Sequence, residues 1–217
     1  MKPQRQREGV ERGRGEVVAR LGVGFHLRRP MIRLFLAGIA VALCGLLTPA
    51  GPSQADDLDR MRYHNRAFQV VDVVDGDTVD VGARDGRFPS TRVRLWGVDT
   101  PEVAGSRDGE MHFGREASAF TREALRGKSV RLQLSPDRTR DVYGRLLAYV
   151  VIEPGGACLN ELLVETGYAY ADGRFRHHYT SRYEGLERWA KKHRLGLWEG
   201  VTFEGMPGWR RRMEASR

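Results

Sequence analysis

The sequence predicts an α+β fold, a closed five-stranded barrel of the oligonucleotide-binding type carrying about three helices. Three observations lead there. Short runs rich in β-branched residues recur five times. One amphipathic helical stretch interrupts them and two more follow. The regular alternation of strand and helix that a βαβ sheet requires is missing.

The strands are expected at residues 68–74, 78–83, 91–96, 130–134 and 145–152. In the third, Val93 and Leu95 alternate with Arg92 and Arg94, the period-two pattern of a half-buried strand. Asp85-Gly86 supplies a hairpin turn before it. Residues 113–126 read as a helix, with Ala117, Phe120, Ala124 and Leu125 at helical spacing and Gly127 as its stop. A second helix spans 159–166 and ends at Gly167. The last opens at Ser181, which with Glu184 three residues on forms a capping box, and Leu186, Trp189 and Ala190 make its apolar stripe. Trp189 and Trp198 are expected to fill or cover the core beside it, and Cys158 to be a small buried side chain.

Outside this block, residues 34–47 form an uncharged run, LFLAGIAVALCGLL, preceded by Arg28, Arg29 and Arg33 and followed by the small-residue sequence Ser53-Gln54-Ala55. That is the pattern of a cleaved export signal, too short for the roughly 20 residues that span a bilayer. It points to a secreted or periplasmic protein; an uncleaved membrane anchor is the alternative. Met31 would begin a signal of ordinary length, so translation is expected to start there rather than at Met1. The chain thus divides into an extension and export signal (1–55), a polar linker (56–66), the folded domain (67–200) and a loose basic tail (201–217).

The formal net charge of +8 at pH 7 suggests nucleic acid until its distribution is considered. Residues 1–30 hold eight Lys or Arg and three Glu, and Arg33 follows. Residues 56–217 then carry 27 basic and 25 acidic side chains, a net +2. Bulk basicity therefore argues for no partner. After cleavage only Cys158 remains, so no internal disulfide supports the domain.

Chemistry concentrates in three clusters: Asp75-Gly76-Asp77-Thr78, then Arg94 through Asp99-Thr100-Pro101-Glu102, and Asp141-Val142-Tyr143-Gly144-Arg145. Each alone is an ordinary turn or strand end. Together they bring acids and arginines to strand ends, as metal-assisted attack on a phosphodiester requires. Asp77 and Asp99 offer hard carboxylate oxygens and Thr100 a carbonyl, a wet site suited to Ca2+, which takes about 6–8 oxygen ligands. No His or Cys pair has zinc spacing. Pro101 stiffens the loop that carries Glu102, the candidate base for an attacking water. Arg94 and Arg145 present planar forks to phosphate oxygens. Tyr143 is a candidate substrate contact; His112, His177, His178 and His193 fall outside these clusters and read as solvated surface.

These stretches resemble the staphylococcal nuclease, or thermonuclease, family over about residues 68–198. The matching segments are VVDGDTV (73–79), RLWGVDTPE (94–102), FGREASAF (113–120), DVYGRLLAYV (141–150), LNELLVETGYA (159–169) and LGLW (195–198). Carried over position by position, the resemblance implies calcium on Asp77, Asp99 and the Thr100 carbonyl, and catalysis by Arg94, Glu102 and Arg145. It further implies an OB-type barrel with three helices and cleavage of DNA and RNA with little sequence preference, leaving 3′-phosphate ends. The partner is then nucleic acid as substrate (single-stranded DNA, RNA or loosened duplex), with no obligate protein partner and a monomeric enzyme. Val142 stands where family members often carry Lys, which should weaken substrate contacts without abolishing chemistry. Residues 170–179 are shorter than in the archetype, leaving open which of Tyr168, Tyr170, Phe175 and Tyr179 stacks on a base.

Two other classes compete. A catalytically inactive OB-type module that only holds single-stranded nucleic acid has no need of a carboxylate pair plus a base, yet all six positions are kept. A structural domain in which these motifs are mere turns leaves three clusters in the right order to coincidence.

Overall fold

The computed structural model describes residues 53–106 and 109–216, so the export signal read over 34–47 lies outside the described residues. Five strands close a barrel in the order β1-β2-β3-β6-β5: β1 (Arg66–Val73), β2 (Thr78–Val81), β3 (Thr91–Leu95), β5 (Ser129–Leu134) and β6 (Leu146–Glu153). All neighbours are antiparallel except β3 and β6, which run parallel with Arg94 opposite Leu147. Helix α2 (Gly114–Leu125) lies between β3 and β5 in sequence, and α3 (Leu159–Glu165) and α4 (Thr180–Lys192) follow β6. A two-residue bridge pairs β4 (Val98–Asp99) with β7 (Tyr170–Ala171).

The barrel is filled by alternate residues of every strand. Val79, Val81, Val93, Leu95, Leu132, Leu146, Ala148 and Val150 are all buried, each large one contributing about 1.5–3 kcal/mol by leaving water. Nearly every residue of β6 is buried, because α3 covers the face that does not point into the barrel and Tyr183 of α4 packs edge-on against Tyr149. At the head of α3, buried Asn160 accepts from Val150 N–H (2.9 Å) and donates to the carbonyls of Trp96 (3.0 Å) and Ala148 (3.3 Å). One side chain thereby fixes the end of β3, from which the loop to Asp99 departs.

Two segments differ from the sequence expectation. The expected linker contains helix α1 (Gln54–Tyr63), capped by a reciprocal Ser53–Asp56 box. Tyr63 is buried, donating to the Arg84 carbonyl, and Asp59 forms a two-pronged pair with Arg140 (2.7 and 2.8 Å). The expected loose tail contains helix α5 (Gly208–Ala215), whose Trp209 and Arg210 are buried; Arg210 pairs with buried Glu187 at 2.7 Å. Neither helix shows an apolar stripe. Helix α1 docks through Tyr63, the Asp59–Arg140 pair and the bonds of Asp56 and Arg60 to residues 135–139, and α5 through Trp209, Met213 and the Arg210–Glu187 pair, long-range contacts that local spacing does not announce.

Smaller differences lie around α4. The helix begins at Thr180 and not with a Ser181 capping box; the Thr180 hydroxyl instead accepts from His177 N–H and donates to the His177 carbonyl, both at 2.8 Å. His177 is half-buried against Trp96, Tyr149 and Tyr183, not a solvated surface residue. Trp198 packs against Tyr170, whereas Trp189 is half exposed and stacks on His193. Cys158 is partly buried, which pushes its thiol pKa up.

Candidate active site

The three motif clusters meet at one mouth of the barrel. The β1–β2 turn is tied to itself by Asp77 N–H donating to Asp75 Oδ1 at 3.0 Å. It is tied to α2 by Thr121, whose hydroxyl donates to the Gly76 carbonyl at 2.6 Å. A Cβ on Gly76 would lie 2.7 Å from the Thr100 side chain, so only glycine permits this approach of turn and loop. The same holds at Gly114, where a Cβ would collide with the Glu102 carbonyl; the start of α2 is pressed against the Pro101–Glu102 backbone.

These contacts gather the carboxylates. Asp77 is buried, and its Oδ2 accepts from the Thr100 N–H (2.8 Å) and hydroxyl (3.2 Å) while Oδ1 accepts from Thr78 (3.1 Å). Arg94 projects from β3 between Asp77 and Asp99, pairing with both, at 2.6 Å to Asp99. Glu102 is half-buried, and its pKa is raised first by burial and then by the negative charges of Asp99 and Asp75. Asp75 is raised by burial too, against the pull of Arg94.

Arg145 approaches from the other side. Asp141 accepts from its Nε (2.7 Å) and backbone N–H (2.9 Å), which aims the guanidinium toward the Thr78 hydroxyl at 3.5 Å. Tyr143 is mostly exposed, with Arg145 5.5 Å from its ring centre. The groove has a volume of about 480 Å3. Of the four aromatics left open by the sequence, Phe175 lines it, stacked on Trp96 at 5.7 Å with Arg138 against both rings. Tyr170 is buried and Tyr168 stacks on Phe120.

A family model described as staphylococcal nuclease homologue matches residues 92–200. The chain belongs to the staphylococcal nuclease family. It is 33% identical over 166 residues to a thermonuclease of Staphylococcus hyicus, an alignment covering 76% of this chain and 94% of the relative. A thermonuclease of Staphylococcus intermedius is 32% identical over 171 residues, 77% of this chain and 95% of the relative. The SPbeta prophage-derived endonuclease YokF of Bacillus subtilis (strain 168) is 31% identical over 140 residues, 62% of this chain and 46% of the relative.

In this staphylococcal nuclease homologue the groove lining contains six carboxylates (Asp75, Asp77, Asp99, Glu102, Asp141, Asp172) and four guanidiniums (Arg94, Arg138, Arg145, Arg174). The formal excess of two negative charges, and a donor set made wholly of hard oxygens, fit a divalent cation of the calcium type. Among the described residues no group of three or more His, Cys, Asp or Glu gathers as a metal cage, so a cation here would rely on Asp77, Asp99, the Thr100 carbonyl and water. Sequence reasoning missed Arg174 and Trp209. Arg174 donates to Asp99 and Asp172 at 2.9 and 2.8 Å, and the Trp209 indole N–H donates to Asp99 at 2.8 Å. Neither carries a local signal: Arg174 sits in a turn, Trp209 in an aperiodic tail.

Proposed function

We propose that this protein is an exported, calcium-dependent endonuclease that hydrolyses phosphodiester bonds of DNA and RNA with little sequence preference, leaving 3′-phosphate ends. The enzyme class follows from the family: a hydrolase of the nuclease type. The observation that carries the metal-dependent chemistry is the convergence, in one groove, of the Asp77–Asp99 pair, half-buried Glu102, and the guanidiniums of Arg94 and Arg145.

Calcium held by Asp77, Asp99 and the Thr100 carbonyl would supply positive charge to the phosphate as negative charge builds on it. Glu102 takes a proton from the attacking water, whose oxygen bonds to phosphorus as the bond to the 5′ oxygen breaks and that oxygen takes up a proton from solvent; the burial that raises the proton affinity of Glu102 suits it to that task. Arg94 and Arg145 donate to the non-bridging phosphate oxygens, stabilising the crowded, more negative phosphorus more than the ground state. Asp141 holds Arg145 in that direction. Phe175 on Trp96, and exposed Tyr143, offer ring faces to bases, which every base can use and which explains little sequence preference.

Export is supported by the signal-like run at 34–47. Cleavage after Ala55 would cut within the first turn of α1 yet keep its docking residues Asp56, Asp59, Arg60 and Tyr63. No helix among the described residues is long and apolar enough to cross a membrane.

The test is digestion of single-stranded DNA and RNA by the purified protein with calcium and with a calcium chelator. Rapid cleavage abolished by the chelator, with product ends sensitive to a 3′-phosphatase, is expected. A folded protein that binds the strands without cutting them would establish the inactive binding module instead.

A further inference from the structure

We propose that Trp209, on the C-terminal helix α5, is a positioning residue of the active site. Its indole N–H orients the Asp99 carboxylate while its ring face holds Arg174 as a third phosphate-directed guanidinium. The inference rests on the nuclease reading above and concerns a segment beyond residue 200, where the family match ends.

Asp99 sits on a two-residue strand leading into a loop, so its carboxylate direction must be set by what it touches. Its two oxygens have different partners. Oδ1 accepts from Arg94 (2.6 Å) and Arg174 (2.9 Å), both cationic. Oδ2 accepts from Trp209 Nε1 at 2.8 Å. An indole donates and cannot accept, and it is neutral. A divalent cation and two guanidiniums compete for one carboxylate oxygen through charge; an indole N–H does not enter that competition. Trp209 therefore keeps Oδ2 tied in both the metal-free and metal-bound enzyme, leaving Oδ1 as the oxygen turned to the groove.

Trp209 is itself immobilised. It is 8% exposed and meets Tyr170 edge to face at 6.3 Å. Its neighbour Arg210, buried, pairs with Glu187 on α4 and Glu214 on α5. Because Glu187 also accepts from Ala171 N–H at 3.0 Å, α5 is locked to the β4–β7 bridge that carries Asp99. Arg174 lies with its guanidinium 4.7 Å from the Trp209 ring centre, a cation over an aromatic face, and is held from behind by Asp172. When Oδ1 is taken by the cation, Arg174 keeps those two supports and turns its free donors to phosphate.

The decisive experiment is calorimetric titration of calcium into the full, nucleic-acid-free protein and its Trp209→Phe variant, which keeps an aromatic ring and loses the donor. Removing such an outer partner of a ligand is expected to weaken calcium about 10- to 100-fold. Equal affinities in the two proteins would overturn the proposal while leaving the nuclease reading standing. Absence of calcium binding by the wild type would bring down the cation itself and the proposal with it. Should Trp209→Phe fail to fold, the wild-type Trp209 indole N–H resonance still decides: it is expected to remain hydrogen-bonded and protected from solvent exchange with and without calcium, and a free, rapidly exchanging indole N–H in the calcium-loaded protein overturns the proposal. For Arg174→Ala, KM for single-stranded DNA should rise about tenfold, the value of one charge-assisted bond, while calcium affinity should not fall, since a competitor for Asp99 Oδ1 is removed. An unchanged KM would remove Arg174 from the phosphate-binding set.

Discussion

The hydroxyl of Thr121 on α2 donates to the carbonyl of Gly76 at 2.6 Å, so the helix that interrupts the barrel strands also fixes the turn carrying Asp75 and Asp77. Both groups are buried. Thr121→Val keeps the shape and leaves that carbonyl unpaired, at a cost of about 1–3 kcal/mol. For a domain of this size the melting temperature should fall by about 2–4 °C for each kcal/mol. A thermal melt indistinguishable from wild type would show that water replaces the bond.

Glu102→Gln preserves volume and removes basicity. Turnover on single-stranded DNA should drop about 10²- to 10⁴-fold, the usual contribution of a positioned base, with the fold intact by circular dichroism. Retained turnover would take Glu102 out of the mechanism.

Arg145→Lys keeps a charge and discards the fork that Asp141 aims. A loss of about 10²-fold in kcat is expected, as for removal of one preorganised donor to a developing oxyanion. Calcium affinity, measured by calorimetry, should stay at the wild-type value, since Arg145 pairs with neither Asp77 nor Asp99.

Arg140→Ala takes the counter-ion from Asp59, which is buried on α1 and keeps the Thr139 hydroxyl as a donor, and also frees Asp85. A fully buried pair broken this way costs several kcal/mol; with water reaching part of Arg140, about 2 kcal/mol is expected. Limited proteolysis should then cut between residues 54 and 65, and resistance equal to wild type would mean Tyr63 and the bonds of Asp56, Asp59 and Arg60 to residues 135–139 hold α1 without Arg140.

His177 gives the fold an acid sensitivity. Its pKa is lowered by burial, while Asp172 and Glu184 favour the charged ring and His178 opposes it. Nδ1 accepts from Tyr179 N–H at 3.3 Å and lies 3.1 Å from the Tyr149 hydroxyl, so a proton there removes an acceptor. With the folded pKa below the unfolded one, the unfolded chain binds more protons in the window between them. Stability is therefore level above the ordinary histidine range and falls as pH drops through it. Melting temperature should decline between about pH 7 and 5 in the wild type and decline less in His177→Gln; identical slopes would assign the sensitivity elsewhere.

The sequence by itself determined the barrel and the parts of its mouth. Strand periodicity is local, so Val93 and Leu95 alternating with Arg92 and Arg94 already put Arg94 at the end of an inward-facing strand. Helix α2 was equally legible, because its apolar residues repeat within one element. The stretches holding Asp77, Asp99, Glu102 and Arg145 could be picked out because short motifs keep their spacing along the chain.

Tertiary structure alone decided what surrounds them. Helix α1 is anchored by Tyr63 and the Asp59–Arg140 pair among other contacts, α5 by Trp209 and the Arg210–Glu187 pair, and hydrogen-bond partners 21 to 110 residues apart leave no period to read. A charged residue in a sequence reads as solvated until its counter-ion is located, so neither the docking of the tail nor the place of Arg174 is legible there. His177 looked exposed for a related reason: its burial depends on the ring packing over Gly97, a contact 80 residues back in the chain. Pairing and close approach are properties of folded space, and there Asp99 acquired its indole donor.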